Sequence, residues 1–129
     1  MKTQIEQLGK KADERGWVVE PLGPEGLVHQ RNVHLVITAP GKVRGNHWHQ
    51  RGTEVMVVVG PALVRLREDG EIRDIEIPPD EVWRFTIPPG VAHAIKNTGP
   101  NPLILLGFNT ERHDPARPDV VRDLLLEED

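Results

Sequence analysis

Short runs rich in Val, Ile and Leu, cut apart by clusters of glycine and proline, fill the middle of the chain. They are Val33 to Thr38, Glu54 to Val59, Ala62 to Arg67, Glu71 to Ile77, Glu81 to Ile87, Val91 to Asn97 and Pro102 to Phe108. Runs of this length bounded by turn formers read as strands. Seven of them at close, even spacing predict an antiparallel sandwich or barrel. Glu68-Asp69-Gly70 reads as a hairpin turn. Pro78-Pro79-Asp80 and Pro88-Pro89-Gly90 must interrupt any sheet, because proline cannot donate to a ladder.

Successive residues of a strand point to opposite faces, so alternation predicts which side chains turn inward. In Glu81 to Ile87, Trp83, Phe85 and Ile87 share the expected core face; in Val91 to Asn97, Val91, His93 and Ile95 do. A histidine thus stands in line with apolar residues. Glu71 to Ile77 alternates poorly, which predicts a bulge. Residues 3 to 15 tolerate a helix, with only Ile5 and Leu8 as a seam, and are expected to form a short helix or a strapped arm. Near the other end Asp119 is placed to cap a brief helix carrying Val120, Val121, Leu124 and Leu125.

The 129 residues suit one domain. With 37% hydrophobic and 28% charged residues, the chain is neither disordered nor a membrane protein in composition, and no apolar run is long enough to span a bilayer. The opening MKTQIEQLGKKADERG lacks the apolar stretch of a signal peptide, so the expected location is the cytoplasm. A net charge of −4 argues against a nucleic-acid partner. Cysteine is absent, so a metal would have to sit on His, Asp or Glu.

Those residue types cluster. His47 and His49 are one residue apart, so on a strand both imidazoles leave the same face and can grip one ion. Glu54 follows across Gln50-Arg51-Gly52-Thr53, a connection that suits a hairpin, and would be aimed inward with Met56 and Val58. A carboxylate in that setting needs a cation or a strong donor. His93 would add a third nitrogen from a distant strand. Three imidazoles and a carboxylate suit Zn, and also Mn, Ni or Fe(II), whereas Mg and Ca prefer more oxygens.

Gly41-x5-His47-x-His49-x4-Glu54-x5-Gly60 resembles the first motif of the cupins, one residue off in the last spacing. Pro88-Pro89-Gly90-Val91-Ala92-His93-x3-Asn97 resembles the second, with Val82 at the place of its leading glycine. The resemblance implies an all-β jelly-roll barrel, a double-stranded β-helix, over residues 31–112, with an N-terminal arm at 1–30 and a C-terminal tail at 113–129. It implies His47, His49, Glu54 and His93 as metal ligands. Sheet edges and apolar outer faces of such a barrel are often covered by pairing, so a homodimer is expected.

Asp13-Glu14-Arg15-Gly16-Trp17 and Arg44-Gly45-Asn46-His47-Trp48-His49-Gln50 further resemble two signatures of the deoxysugar 3,5-epimerases. The second segment, taken with Pro88 to His93 and Asp114-Pro115-x2-Pro118-Asp119, is similar to the C-terminal cupin domain of capsular-polysaccharide enzymes. These likenesses imply epimerisation or isomerisation of a nucleotide-linked 4-keto deoxysugar, with Arg15 and Arg44 holding the nucleotide diphosphate and His47 as base. From Gly26 to Thr53 the chain carries Arg31, Lys42, Arg44 and Arg51 and no acidic residue, a bias that fits an anionic substrate. The epimerases use a tyrosine as acid, and this chain has no tyrosine. One lone pair of His47 cannot serve both a metal and a proton, so ligand and base remain alternatives, with His34 and His113 as other acid or base candidates. The 3,4-ketoisomerase cupins share the Arg-Gly-x-His-x-His segment but generally lack the metal glutamate. An Fe or Mn cupin dioxygenase and a non-catalytic sugar-binding cupin are the other readings.

Overall fold

The computed structural model describes residues 2–129, and among them lie twelve strands and one helical turn. In chain order these are β1 (Gln4–Leu8), β2 (Lys11–Asp13), β3 (Gly16–Val18), α1 (Pro24–Leu27), β4 (Asn32–Thr38), β5 (Val43–His49), β6 (Glu54–Val59), β7 (Ala62–Glu68), β8 (Glu71–Ile77), β9 (Val82–Ile87), β10 (Ala92–Asn97), β11 (Leu103–Asn109) and β12 (Val120–Arg122). Two five-stranded antiparallel sheets, ordered β1-β9-β6-β11-β4 and β12-β5-β10-β7-β8, face each other as a jelly roll, and β2-β3 stands apart as a small hairpin. The fold is the expected all-β barrel, and the seven runs read from the sequence are strands within about one residue at each end.

The main core fills the space between the sheets with Met56, Val58, Leu66, Phe85, Ile87, Val91, Ile95 and Leu105. Inward alternation therefore holds on β6, β9 and β10. The outer faces are not bare. Val55, Val57, Val82 and Phe108, turned outward from the first sheet, pack under Leu8, Val19 and Leu22 of the N-terminal segment. Ala92 and Ala94, turned outward from the second, pack under Leu125 and Leu126 of the C-terminal segment.

Four local expectations change. Residues 4–8 are a strand paired with β9, not a helix. Ile5 and Leu8 would share a helix face, but on a strand they point apart, and each finds its own apolar layer: Ile5 the inner core and Leu8 the outer one. Val120 to Arg122 is likewise a strand, lying along β5 with Val120 opposite His49 and Arg122 opposite His47. The free edge of β5 offers this segment backbone partners that a lone short helix would lack. No bulge interrupts β8, which pairs with β7 in unbroken register. Its poor alternation reflects an edge strand exposed over most of its length. Finally, 50–53 is not a hairpin: β5 and β6 belong to different sheets, and the segment crosses between them. The hairpin at Asp69-Gly70 is as expected, both residues having positive φ (50° and 78°), as a tight two-residue turn requires.

Candidate metal centre

The three histidines come from one sheet and the carboxylate from the other. His47 and His49 lie on β5, His93 stands directly opposite His47 on β10, and Glu54 opens β6 across the sandwich. One donor atom from each of the four falls within 4.8 Å of all the others. The cluster thus bridges the two sheets, with Glu54 reaching it from across the sandwich and not through a hairpin.

A bulge in β5 sets the phase of its side chains. The register with β10 runs His47 to His93 and then Gly45 to Ala94, so Asn46 is an extra residue. Gly45 and Asn46 carry it with φ of 85° and 57°. A Cβ on Gly45 would lie 2.7 Å from the His93 carbonyl oxygen, so only glycine fits against β10 there. Residues three apart on a regular strand face opposite ways. The extra residue cancels that, and Arg44 and His47 line the same cavity. The Arg-Gly-Asn-His order is thus the local condition for placing a guanidinium beside the cluster. Asn46, turned outward, accepts from Leu125 N and Leu126 N and donates to the Leu126 carbonyl at 2.9–3.0 Å, tying the C-terminal segment to the strand that bears the histidines.

Each ring is oriented by what its far side touches. His93 is 1% exposed, and its Nδ1–H donates to the Val91 carbonyl at 3.0 Å. A carbonyl can only accept, so Nδ1 carries a proton, and Nε2 faces inward. That nitrogen lies 2.6 Å from Glu54 Oε2 without the alignment of a hydrogen bond. His49 has Nε2 3.8 Å from the same oxygen and Nδ1 3.4 Å from Asp119 Oδ2, and neither nitrogen has an aligned hydrogen-bond partner. His47 packs edge-on to both rings, 5.1 Å from His49 and 4.8 Å from His93 between centroids. Buried polar atoms rarely go unpaired. Unpaired imidazole nitrogens collected around one carboxylate are residue types that could hold a divalent transition ion, and they fit Zn, Mn, Ni or Fe(II).

The electrostatics differ from ring to ring. Burial, helped by the neighbouring His93, lowers His47 to about 4, so its ring is neutral at pH 7. Burial alone would raise Glu54, yet His93 and His49 outweigh it and hold the carboxyl well below its usual range. His49 is pushed down by burial but carried above its ordinary value by Glu54 and Asp119 together. Asp119 is itself lowered: burial opposes ionisation, and the backbone N–H groups of Arg51 and Gly52 prevail by donating to it at 2.7 and 3.0 Å. Asp119 is therefore not a helix cap. It pins the 50–53 crossover and faces His49, a role its place just before β12 leaves unmarked in the sequence.

Two cavities open onto the cluster. One, about 240 Å³, is lined by His34, His49, Glu54, Arg112, His113 and Asp119. The other, about 220 Å³, is lined by His34, Arg44, His47, Glu54, His93 and Gly107. Arg44 is thus at the site. Arg15 is not: it lines neither cavity, its side chain is 83% exposed on the β2-β3 hairpin, and its guanidinium is held by Asp13. Arg51 is engaged by Glu111 and the Arg117 carbonyl.

Relatives share this frame. The spore coat polysaccharide biosynthesis protein SpsL of Bacillus subtilis is 29% identical over 129 aligned residues, which cover 92% of this chain and 85% of that protein. The capsular polysaccharide assembling protein CapF of Staphylococcus aureus superposes with a TM-score of 0.68 at 27% identity, over 92% of this chain and 34% of CapF. The chain therefore spans about a third of CapF. QdtA, a sugar 3,4-ketoisomerase of Thermoanaerobacterium thermosaccharolyticum solved in complex with TDP, has a TM-score of 0.71 at 21% identity, covering 94% of this chain and 88% of QdtA. At that identity the likeness to QdtA is one of fold, the cupin jelly roll. Residues 11–121 match the polysaccharide biosynthesis C-terminal domain family across nearly the whole barrel, and the chain belongs to that family.

Proposed function

We propose that this chain is a metal-binding cupin that epimerises or isomerises a nucleotide-linked 4-keto deoxysugar in polysaccharide or deoxysugar biosynthesis. The observation that carries the reading is the convergence of His47, His49, Glu54 and His93, of which His47, Glu54 and His93 line one cavity together with Arg44. The names of CapF and SpsL support the polysaccharide setting, and the TDP complex of QdtA supports a sugar nucleotide as ligand.

Inverting or moving a carbonyl along a sugar begins with loss of a proton from the carbon beside the ketone. That step needs a base and positive charge near the oxygen that becomes an enolate. A bound Zn, Mn, Ni or Fe ion on the four residues would supply the Lewis acidity for that oxygen. Arg44, exposed at the cavity rim, offers its guanidinium to an anionic part of the substrate. His47 is neutral at pH 7, so its lone pair is free to ligate. Once committed to a metal it is not free to take a proton, and we assign it to the ligand set. Among the described residues no helix is long and apolar enough to cross a membrane. The outward side chains Val33, Leu35 and Ile37 on β4, an edge strand, are 58%, 67% and 49% exposed and support a homodimer formed through that edge.

The reading is tested by incubating the protein with thymidine- and uridine-linked 4-keto-6-deoxysugars, reducing the products with borohydride and identifying the sugars released. New epimers or a shifted carbonyl position are expected. Recovery of only the two alcohols of the starting ketone, from both nucleotides, contradicts it.

A further inference from the structure

If His47, His49 and His93 all serve a metal, the proton must be moved by another group. The strand register points to one. On the first sheet, His34 of β4, Gly107 of β11 and Met56 of β6 stand in one row, and Asn32, Asn109 and Glu54 stand in the next. Met56 is core, so the row faces inward and His34 is turned toward the sandwich interior. The position between His34 and the β6 residues is a glycine, with no side chain to close the gap. A Cβ at 107 would come no nearer than 3.6 Å to Glu54 Oε1. Gly107 thus leaves a window between His34 and the carboxylate of the cluster.

The other imidazoles at the site are committed. His93 has one nitrogen on the Val91 carbonyl and the other on the cluster, and His49 is held between Asp119 and Glu54. His113 lines only the cavity of about 240 Å³, on the segment between β11 and β12. His34 lines both cavities and is solvent-exposed. A molecule seated over Glu54 and His47 is therefore flanked by His34 and Arg44, one able to move a proton and the other a fixed cation.

We infer that His34 is the catalytic base, reaching the substrate across the space that Gly107 leaves open; this rests on the proposed sugar-nucleotide reading. Neutral His34 takes the proton from the carbon beside the ketone. The C–H pair becomes the carbon–carbon π bond of the enolate, and the carbonyl π pair moves onto oxygen. The imidazolium then returns a proton to carbon and is neutral again, so no oxidant or reductant is consumed. Being exposed, it can trade that proton with solvent first, which makes deuterium uptake a direct report on the step.

The test compares wild type with His34→Ala, His34→Gln and Gly107→Leu, each loaded with Zn, for deuterium uptake by a nucleotide-linked 4-keto-6-deoxysugar in deuterated water. Zn content and thermal unfolding are measured alongside. Loss of at least about 100-fold in exchange is expected for both His34 variants, at unchanged Zn content, with partial recovery of His34→Ala on adding free imidazole. Gly107→Leu should lose exchange without losing Zn or being rescued. Exchange by His34→Ala at the wild-type rate overturns the inference and leaves the proposed function standing. So does loss of Zn together with activity, which would make His34 a structural support. Absence of exchange in the wild type overturns both.

Discussion

Asp119 Oδ2 lies 3.4 Å from His49 Nδ1 while the same carboxylate accepts from the backbone N–H groups of Arg51 and Gly52. One side chain from the segment before β12 thereby faces a ring of the cluster and pins the crossover that carries the chain to Glu54. Gly52 is the residue that lets it approach, since a Cβ there would meet Asp119 Oδ2 at 3.0 Å and Asn109 Oδ1 at 2.3 Å. Carboxylates behind ligating histidines orient the ring and strengthen it as a donor. Asp119→Asn should therefore weaken Zn binding by about 10–100-fold with the fold retained. Competition against a coloured chelator checks this, and unchanged affinity would reduce Asp119 to a loop clamp.

Asn46 predicts a stability effect with no change of ligands. Its buried amide satisfies three backbone groups of residues 125 and 126 from a backbone conformation with φ of 57°. Asn46→Ala strands those groups and places a Cβ-bearing residue without the asparagine amide in the left-handed region. A loss of about 1–3 kcal/mol in urea unfolding is expected. Asn46→Gly relieves the backbone but not the hydrogen bonds, so it should recover only part of the loss.

The metal-free protein should be most stable near pH 6.5. His47 drops from its ordinary 6.5 to about 4 on folding, so between those values the unfolded chain binds more protons and stability falls as the pH falls. His49 is raised, so its contribution is complete below 6.5 and is lost as the pH rises through its folded value. Glu54 and Asp119, both lowered, add a further loss only below their ordinary values of 4.5 and 3.8. Thermal melts from pH 4 to 8 after chelation check the profile. His47→Asn should flatten the limb between about pH 4 and 6.5 and leave the limb above 6.5 in place.

The edge of β4 gives a prediction on assembly. Leu35→Glu puts a charge at the centre of the outward Val33-Leu35-Ile37 row. Wild type at micromolar concentration should elute as a dimer and the variant as a monomer with an unchanged circular dichroism spectrum. Wild type eluting as a monomer would contradict the dimer.

Much of this was legible along the chain because its signals are local. Pro78, Pro88 and Gly60 mark the strand ends, and the alternation of Glu54, Met56 and Val58 put the carboxylate on the core face. The His-x-His pair and His93 then needed only strand geometry to be brought together. What escaped depends on distant partners. β5 was not among the seven runs, because its bulge at Gly45-Asn46 breaks the alternation that marks a strand. β1 and β12 carry too little pattern of their own and are strands because β9 and β5 present free edges. Arg15 and Arg44 look alike in their short motifs, yet one points from an outlying hairpin and the other into the cavity. Asp119 and Gly107 acquire their places only once β11 and β12 lie beside the strands that bear the histidines and Glu54.

The most direct measurement is proton NMR of a nucleotide-linked 4-keto-6-deoxysugar with the protein in deuterated water, run with metal-stripped and Zn-reloaded samples. Loss of the signal at a carbon beside the ketone, present after reloading and absent after stripping, is the predicted result. Retention of every such signal with both the thymidine and the uridine nucleotide, in the presence of bound Zn, would contradict the assignment of this cluster to sugar-nucleotide chemistry.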